Sequence, residues 1–190
     1  DPAWTDAFLA SMEADLSKRF YRTEAEMLEY VYGSAEVIGL YMAKIMRLPA
    51  EAQFAAQRLG RAMQVINFIR DAAEDAGLGR RYLPLERDGA RLLDVPDDWL
   101  PSREWAQAHP AEWTAFLRGH LDRYAAWQAE AEAGYRYIPR RPRTAVRTAG
   151  DMYNWTARQI AADPFVVFAR KVKPKKGRIV AQALWNGLRG

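Results

Sequence analysis

The sequence predicts an all-α protein. Apolar residues recur at spacings of three and four along most of the chain, and strand-type alternation is nearly absent. Prolines and glycines gather at a few places between these periodic runs. Helices are expected at 3–20, 24–47, 50–77, 110–133, 141–163 and 176–188, with boundaries good to about two to four residues.

The second helix is introduced by Thr23 and Glu26, which have the spacing of a capping box. Pro49 marks the start of the third, a position that tolerates a missing N–H. Gly77 and Gly79 offer that helix a stop. Residues 79–109 carry Pro84, Pro96 and Pro101, and read as a long connection with a short helical turn or two. A second break, Tyr135 to Pro142, is closed by Pro139 and Pro142.

No repeat, low-complexity segment or linker divides the 190 residues, so a single domain, 1–190, is expected. The chain is 49% apolar and 27% charged, which argues against disorder. It has no cysteine, which excludes disulfides, zinc–thiolate sites and a cysteine nucleophile. With only His109 and His120, a histidine-based metal site is disfavoured. No apolar run reaches the length of a membrane span, and the start at Asp1 lacks the pattern of a signal peptide. A cytoplasmic location is expected, with peripheral membrane contact left open. The net charge of +4 permits attraction to phosphates, anionic lipid or nucleic acid without choosing among them. The aromatics do not interleave with the basic residues 140–143 and 173–178 in the manner of a nucleic-acid module, so no nucleic-acid partner is expected. Neither a third glycine after Gly77-Leu78-Gly79 nor a G-x-S-x-G elbow is present.

The third helix holds the chemistry. At about 100° per residue, Val65, Ile66, Ile69, Ala72, Ala73 and Ala76 fall on one side. Gln64, Asn67, Asp71 and Asp75 fall on the other and stack along one stripe. Bulky apolar neighbours, Met63 and Phe68, border that stripe, which an ordinary solvated face would not have. Carboxylates at i and i+4 on a rigid helix suit Mg²⁺, which takes one or two carboxylates, keeps waters and bridges to phosphates. Arg70, Arg80 and Arg81 are at hand to neutralise phosphate charge.

The run Leu-Gly-(3)-Gln-(2)-Asn-Phe-x-Arg-Asp-(2)-Glu-Asp-(4)-Arg-Arg-Tyr-x-Pro, Leu59 to Pro84, resembles the second aspartate-rich motif of the squalene/phytoene synthase family. Tyr30-Val31-Tyr32-Gly33-Ser34-Ala35-Glu36-Val37-Ile38-Gly39 is similar to the family's Tyr-x-x-Gly-x-Ala-x-x-x-Gly signature, with Val31 and Glu36 as mild departures. Its small residues allow close helix contact or room for a ligand, and Tyr30, Ser34, Val37 and Tyr41 are expected on one face. The segment from Asp151-Met152-Tyr153-Asn154-Trp155 through Arg170 resembles the family's C-terminal end.

The resemblance implies an isoprenoid-synthase-type helical bundle around a central cavity, lacking its N-terminal helices. It implies head-to-head joining of two prenyl diphosphates with Mg²⁺-assisted diphosphate loss, geranylgeranyl diphosphate to phytoene foremost. Squalene or dehydrosqualene formation from farnesyl diphosphate is the alternative, and a non-catalytic assembly or binding protein a further one. By resemblance Asn67, Asp71 and Asp75 hold Mg (or Mn), while Gln64, Asn67, Arg70, Tyr82 and Arg170 meet the diphosphate. Tyr30 and Tyr153 line the wall that shelters the cation, with Tyr41 and Trp155 as weaker candidates. Ser34, Val37 and Ile38 contact the substrate, Arg70, Asp71, Asp75, Tyr30 and Tyr153 form the catalytic set, and NADPH is not expected. The family's first aspartate motif has no counterpart in residues 1–29, where Glu13 and Asp15 lie at the wrong spacing. The chain alone is therefore expected to be inactive, with exposed apolar surface that favours dimerisation or aggregation, and to need a preceding segment or a second chain.

Overall fold

The computed structural model describes residues 1–189. Helices α1 (Pro2–Ser17), α2 (Glu24–Val31), α3 (Val37–Ile45), α4 (Gln53–Arg70) and α5 (Ala72–Gly77) form the first half. Helices α6 (Arg103–Ala108), α7 (Pro110–Glu132), α8 (Arg140–Ala162), α9 (Val166–Ala169) and α10 (Lys176–Arg189) form the second.

Local chemistry sets the helix starts. Asp1 accepts from the Ala3 N–H, with Pro2 in the first turn of α1. Thr23 accepts from the Glu26 N–H at 3.2 Å, while the Glu26 carboxylate takes the Arg22 N–H, one residue before the expected partner. At the end of α5 the chain stops as the glycines predict, with Gly79 at φ +71°.

Three local departures from the sequence expectations matter for the site. The predicted helix 24–47 is interrupted by a π turn over Tyr32–Glu36. The predicted helix 50–77 opens with a 3₁₀ turn, Ala50–Ala52, and breaks at Asp71 (φ −97°, ψ 10°). The Asp75 N–H still bonds the Asp71 carbonyl at 2.8 Å, so the two pieces stay nearly in line. The connection 79–109 contains an antiparallel hairpin, β1 (Glu86–Arg87) with β2 (Ala90–Arg91), besides α6.

Helix α4 is central. It packs against α7, α3, the π turn and α8. Ile66 and Ile69 of α4 and Trp113, Leu117 and Tyr124 of α7 are at most 2% exposed and anchor the core. Beside it, Glu24 of α2 receives Arg87 of the hairpin at 2.8 Å and Arg123 of α7 at 2.8 Å. Arg87 also reaches Nδ1 of His120, which burial and then the Arg87 charge push down to about 3, so the imidazole is neutral. This network fastens the loop carrying Tyr82 to two helices. Arg81 belongs to the same scaffold. It is buried and donates to the carbonyls of Tyr21, Leu83, Asp97 and Trp99, which removes it from the expected phosphate-neutralising set.

Helix α10 turns Gln182 and Asn186 onto Asp151 of α8. Its Val180, Leu184 and Leu188 are exposed. Among the described residues no helix is long and apolar enough to cross a membrane.

Candidate active site

The polar stripe of α4 and α5 faces a hollow of about 230 Å³ lined by Gln64, Asn67, Asp71, Asp75 and the rings of Tyr30 and Tyr82, with Phe68 and Arg70 completing it. The opposite face packs inward as the periodicity predicts, with Val65, Ile66 and Ile69 buried. One turn towards the N-terminus of α4, the stripe becomes apolar. There Gly60 and Met63 line a second cavity of about 350 Å³ with Ile38, Met42, Tyr135 and Val146. A carboxylate-bearing hollow and an oily pocket thus sit end to end along one helix face.

The aromatic side of the hollow is a packed cluster. Phe68 and Tyr82 stack at 4.4 Å, and Tyr30 lies 5.4 Å from both Tyr82 and Tyr21. Asp15 of α1, which sequence spacing discarded, joins the two site tyrosines. Its Oδ2 accepts from Tyr30 Oη and its Oδ1 from Tyr82 Oη, each at 2.9 Å. Burial first, then the bond to Asp15, raises the Tyr30 pKa, so Tyr30 is a neutral phenol and no general base.

The two aspartates sit in different electrostatic surroundings. Burial alone would raise Asp71, yet Arg70 and Lys171 outweigh it and hold its carboxyl below the ordinary range. Arg70 Nε and Nη2 grip Asp71 at 2.8 and 2.5 Å, and Lys171 Nζ approaches it at 3.2 Å. Asp75 is pushed up to about 6 by burial and by the negative charge of Asp71 and Glu74. Asn67 Oδ1 is buried without a hydrogen-bond partner. A divalent cation would satisfy both the orphan oxygen and the crowded carboxylates. Asp71, Asp75 and Asn67, with Gln64 beside them, therefore fit an oxygen-seeking ion that completes its shell with water and phosphate. Among the described residues no cluster of three acidic or histidine side chains could hold an ion unaided.

Other expected site residues lie elsewhere. Val37 is fully buried, because the π turn changes the phase at which α3 leaves Tyr30. Ile38, expected beside it, does line the oily pocket, and Ser34 keeps a buried hydroxyl oxygen without a partner. Tyr41 packs against α1, its hydroxyl 2.6 Å from that of Thr5 and its ring edge-on to Trp4, which corrects its placing on the Tyr30 face. Tyr153, on α8, lies near the Arg70 guanidinium. Arg170 is outside the hollow. It lines a basic recess with Trp155, Lys173, Lys175 and Arg178, where Arg178 lies 5.1 Å over the Trp155 ring. Its neighbour Lys171 reaches the aspartates, a residue that no local pattern singled out.

The squalene/phytoene synthase family model matches residues 1–178. The chain belongs to this family. It is 30% identical over 184 residues to phytoene synthase 3, chloroplastic, of Zea mays, covering 91% of this chain and 41% of the relative. It is 33% identical over 155 residues to 15-cis-phytoene synthase of Paracoccus sp., covering 80% and 47%. The chain thus spans less than half the length of these relatives. A dehydrosqualene synthase superposes with a TM-score of 0.78 at 20% identity, covering 100% of this chain and 65% of that one. Squalene synthase HpnC from Alicyclobacillus acidocaldarius gives 0.72 at 20% identity, covering 87% and 61%. These likenesses establish the isoprenoid-synthase helical fold.

Proposed function

We propose that this chain carries the diphosphate-gripping and tail-binding portion of a Mg²⁺-dependent prenyltransferase that joins two prenyl diphosphates head to head, converting geranylgeranyl diphosphate to phytoene. The supporting observation is the single face of α4, apolar at Gly60 and Met63 and oxygen-bearing at Gln64, Asn67 and Asp71. A prenyl diphosphate has the same two-part character. The relatives named above as phytoene synthases favour the C20 substrate. The C15 reaction, to squalene or dehydrosqualene, is the alternative that the names of the structural neighbours support.

Asp71, Asp75 and Asn67 would hold the ion, which when bound supplies positive charge to the departing diphosphate. Arg70 adds fixed positive charge beside Asp71. The packed rings of Tyr30, Phe68 and Tyr82 offer a π-rich wall, and Asp15 fixes two of them through their hydroxyls. The pocket between α3, α4 and α8 takes the hydrocarbon tail.

The second carboxylate set that the family resemblance implies is, in this proposal, supplied by polypeptide outside these residues. Within them, Asp15 is occupied by two tyrosines. The exposed row Ile38, Met42 and Ile45 is the edge such helices would cover. With that portion supplied together with Mg²⁺, C20 diphosphate is expected to release diphosphate and yield a C40 hydrocarbon identified by mass spectrometry. No release from C15 or C20 diphosphate would overturn the proposal. Turnover by the 190 residues alone would overturn its two-part form.

A further inference from the structure

Lys171 arrives at the aspartates from the connection between α9 and α10, far from α5 in sequence. Its Nζ lies 2.6 Å from Glu74 Oε2 and 3.2 Å from Asp71 Oδ1. Asp71 Oδ1 also accepts from Arg70 Nε at 2.8 Å, and Oδ2 from Arg70 Nη2 at 2.5 Å. Both oxygens of Asp71 are therefore engaged by protein cations, while the buried Asn67 Oδ1 in the same hollow has no partner. Three of the roughly four acceptor sites of the Asp71 carboxylate are thus taken, so an ion shared between Asp71 and Asp75 competes with these cations for it.

Of the two cations, Lys171 is the one built to leave. Arg70 is the chain neighbour of Asp71, grips it bidentately and is only 18% exposed. Lys171 is 34% exposed, presents a single hydrated charge on a flexible stem and is anchored through an exposed Glu74.

Resting on the metal reading given under Proposed function, we propose that Lys171 is a tethered counter-ion for these carboxylates, exchanged for the divalent cation when the site loads. Lys171 thereby sets the affinity for that cation. In the metal-free protein it offsets the repulsion among Asp71, Glu74 and Asp75, and loading returns its ammonium to solvent or to phosphate oxygens. The metal site thus carries its own competitor, drawn from the segment that also bears Arg170 and Lys173.

The test is a Mn²⁺ titration followed by electron paramagnetic resonance on wild type, Lys171→Met and Lys171→Arg. Lys171→Met is expected to bind Mn²⁺ about three- to tenfold more tightly at low ionic strength, given the modest strength of a half-exposed ion pair. Lys171→Arg, which preserves the charge, is expected to stay within about twofold of wild type, and added NaCl is expected to narrow the gap. Equal or weaker Mn²⁺ binding by Lys171→Met, with Mn²⁺ binding intact in wild type, overturns this inference and leaves the metal reading standing. Absence of Mn²⁺ binding in all three overturns the metal reading and this inference with it. A merely structural role for Lys171 would lower the melting temperature of Lys171→Met without tightening Mn²⁺.

Discussion

Asp75→Asn is expected to stabilise the metal-free protein at pH 8 while abolishing its grip on a divalent cation. Burial, with Asp71 and Glu74 nearby, raises Asp75 from the ordinary 3.8 to about 6. Its folded pKa lies above its unfolded one, so its contribution to stability is fully present below about pH 4 and is lost as pH rises through about 6. Two units correspond to about 3 kcal/mol, which solvent screening in a half-buried position trims to about 1–2. A neutral isostere escapes that cost. The melting temperature of Asp75→Asn should exceed wild type by about 2–8 °C at pH 8 and match it at pH 4. Cation binding by wild type should rise with pH across about 6, as the carboxylate becomes available. A variant less stable than wild type at pH 8, or one that still binds Mn²⁺ with wild-type affinity, would contradict this account of the hollow.

Gly39→Ala is expected to cost about 3 kcal/mol or more, a large loss for a single added methyl group. A Cβ on Gly39 would lie 2.2 Å from the Ala56 carbonyl oxygen, and one on Gly60 2.3 Å from that of Ala35. Both obstacles are backbone, so relief requires α3, with its preceding π turn, to part from α4. Those elements also line the oily pocket, so the same change would distort the space proposed for the prenyl tail. Urea denaturation reads the loss, with Gly77→Ala as the control. A Cβ at Gly77 meets nothing within 4 Å, so that change should be neutral or stabilising by up to about 1 kcal/mol. Similar midpoints for the two variants would show that α3 and α4 are not in backbone contact.

What could be seen in advance was whatever repeats on a short period. The six long helical stretches and the polar stripe from Gln64 to Asp75 follow from 3.6-residue spacing, and the structure keeps that stripe on one face despite the break at Asp71. The π turn was hidden because its extra residue leaves composition unchanged while shifting the phase, which sent Val37 inward and Tyr41 towards α1. The hairpin's two-residue strands are too short to show alternation. Asp15 and Lys171 were invisible for a different reason. Tyr82 lies 67 residues from Asp15 and Glu74 lies 97 from Lys171, so only folding brings an α1 carboxylate to Tyr82 and an ammonium from beyond α9 to Glu74. Arg81 misled because an arginine beside a metal motif resembles a phosphate ligand, whereas four carbonyl acceptors claim it.

The account rests on one arrangement: oxygen atoms along α4 and α5 that clasp a pyrophosphate through an intervening cation, with the attached hydrocarbon lying towards Gly60. Anomalous diffraction from crystals grown with Mn²⁺ and farnesyl thiodiphosphate locates both groups directly. The account predicts a Mn²⁺ peak about 2 Å from carboxylate oxygens of Asp71 and Asp75, with the isoprenoid between α3, α4 and α8. A Mn²⁺ peak remote from both aspartates, or an isoprenoid lying outside that pocket, would contradict it.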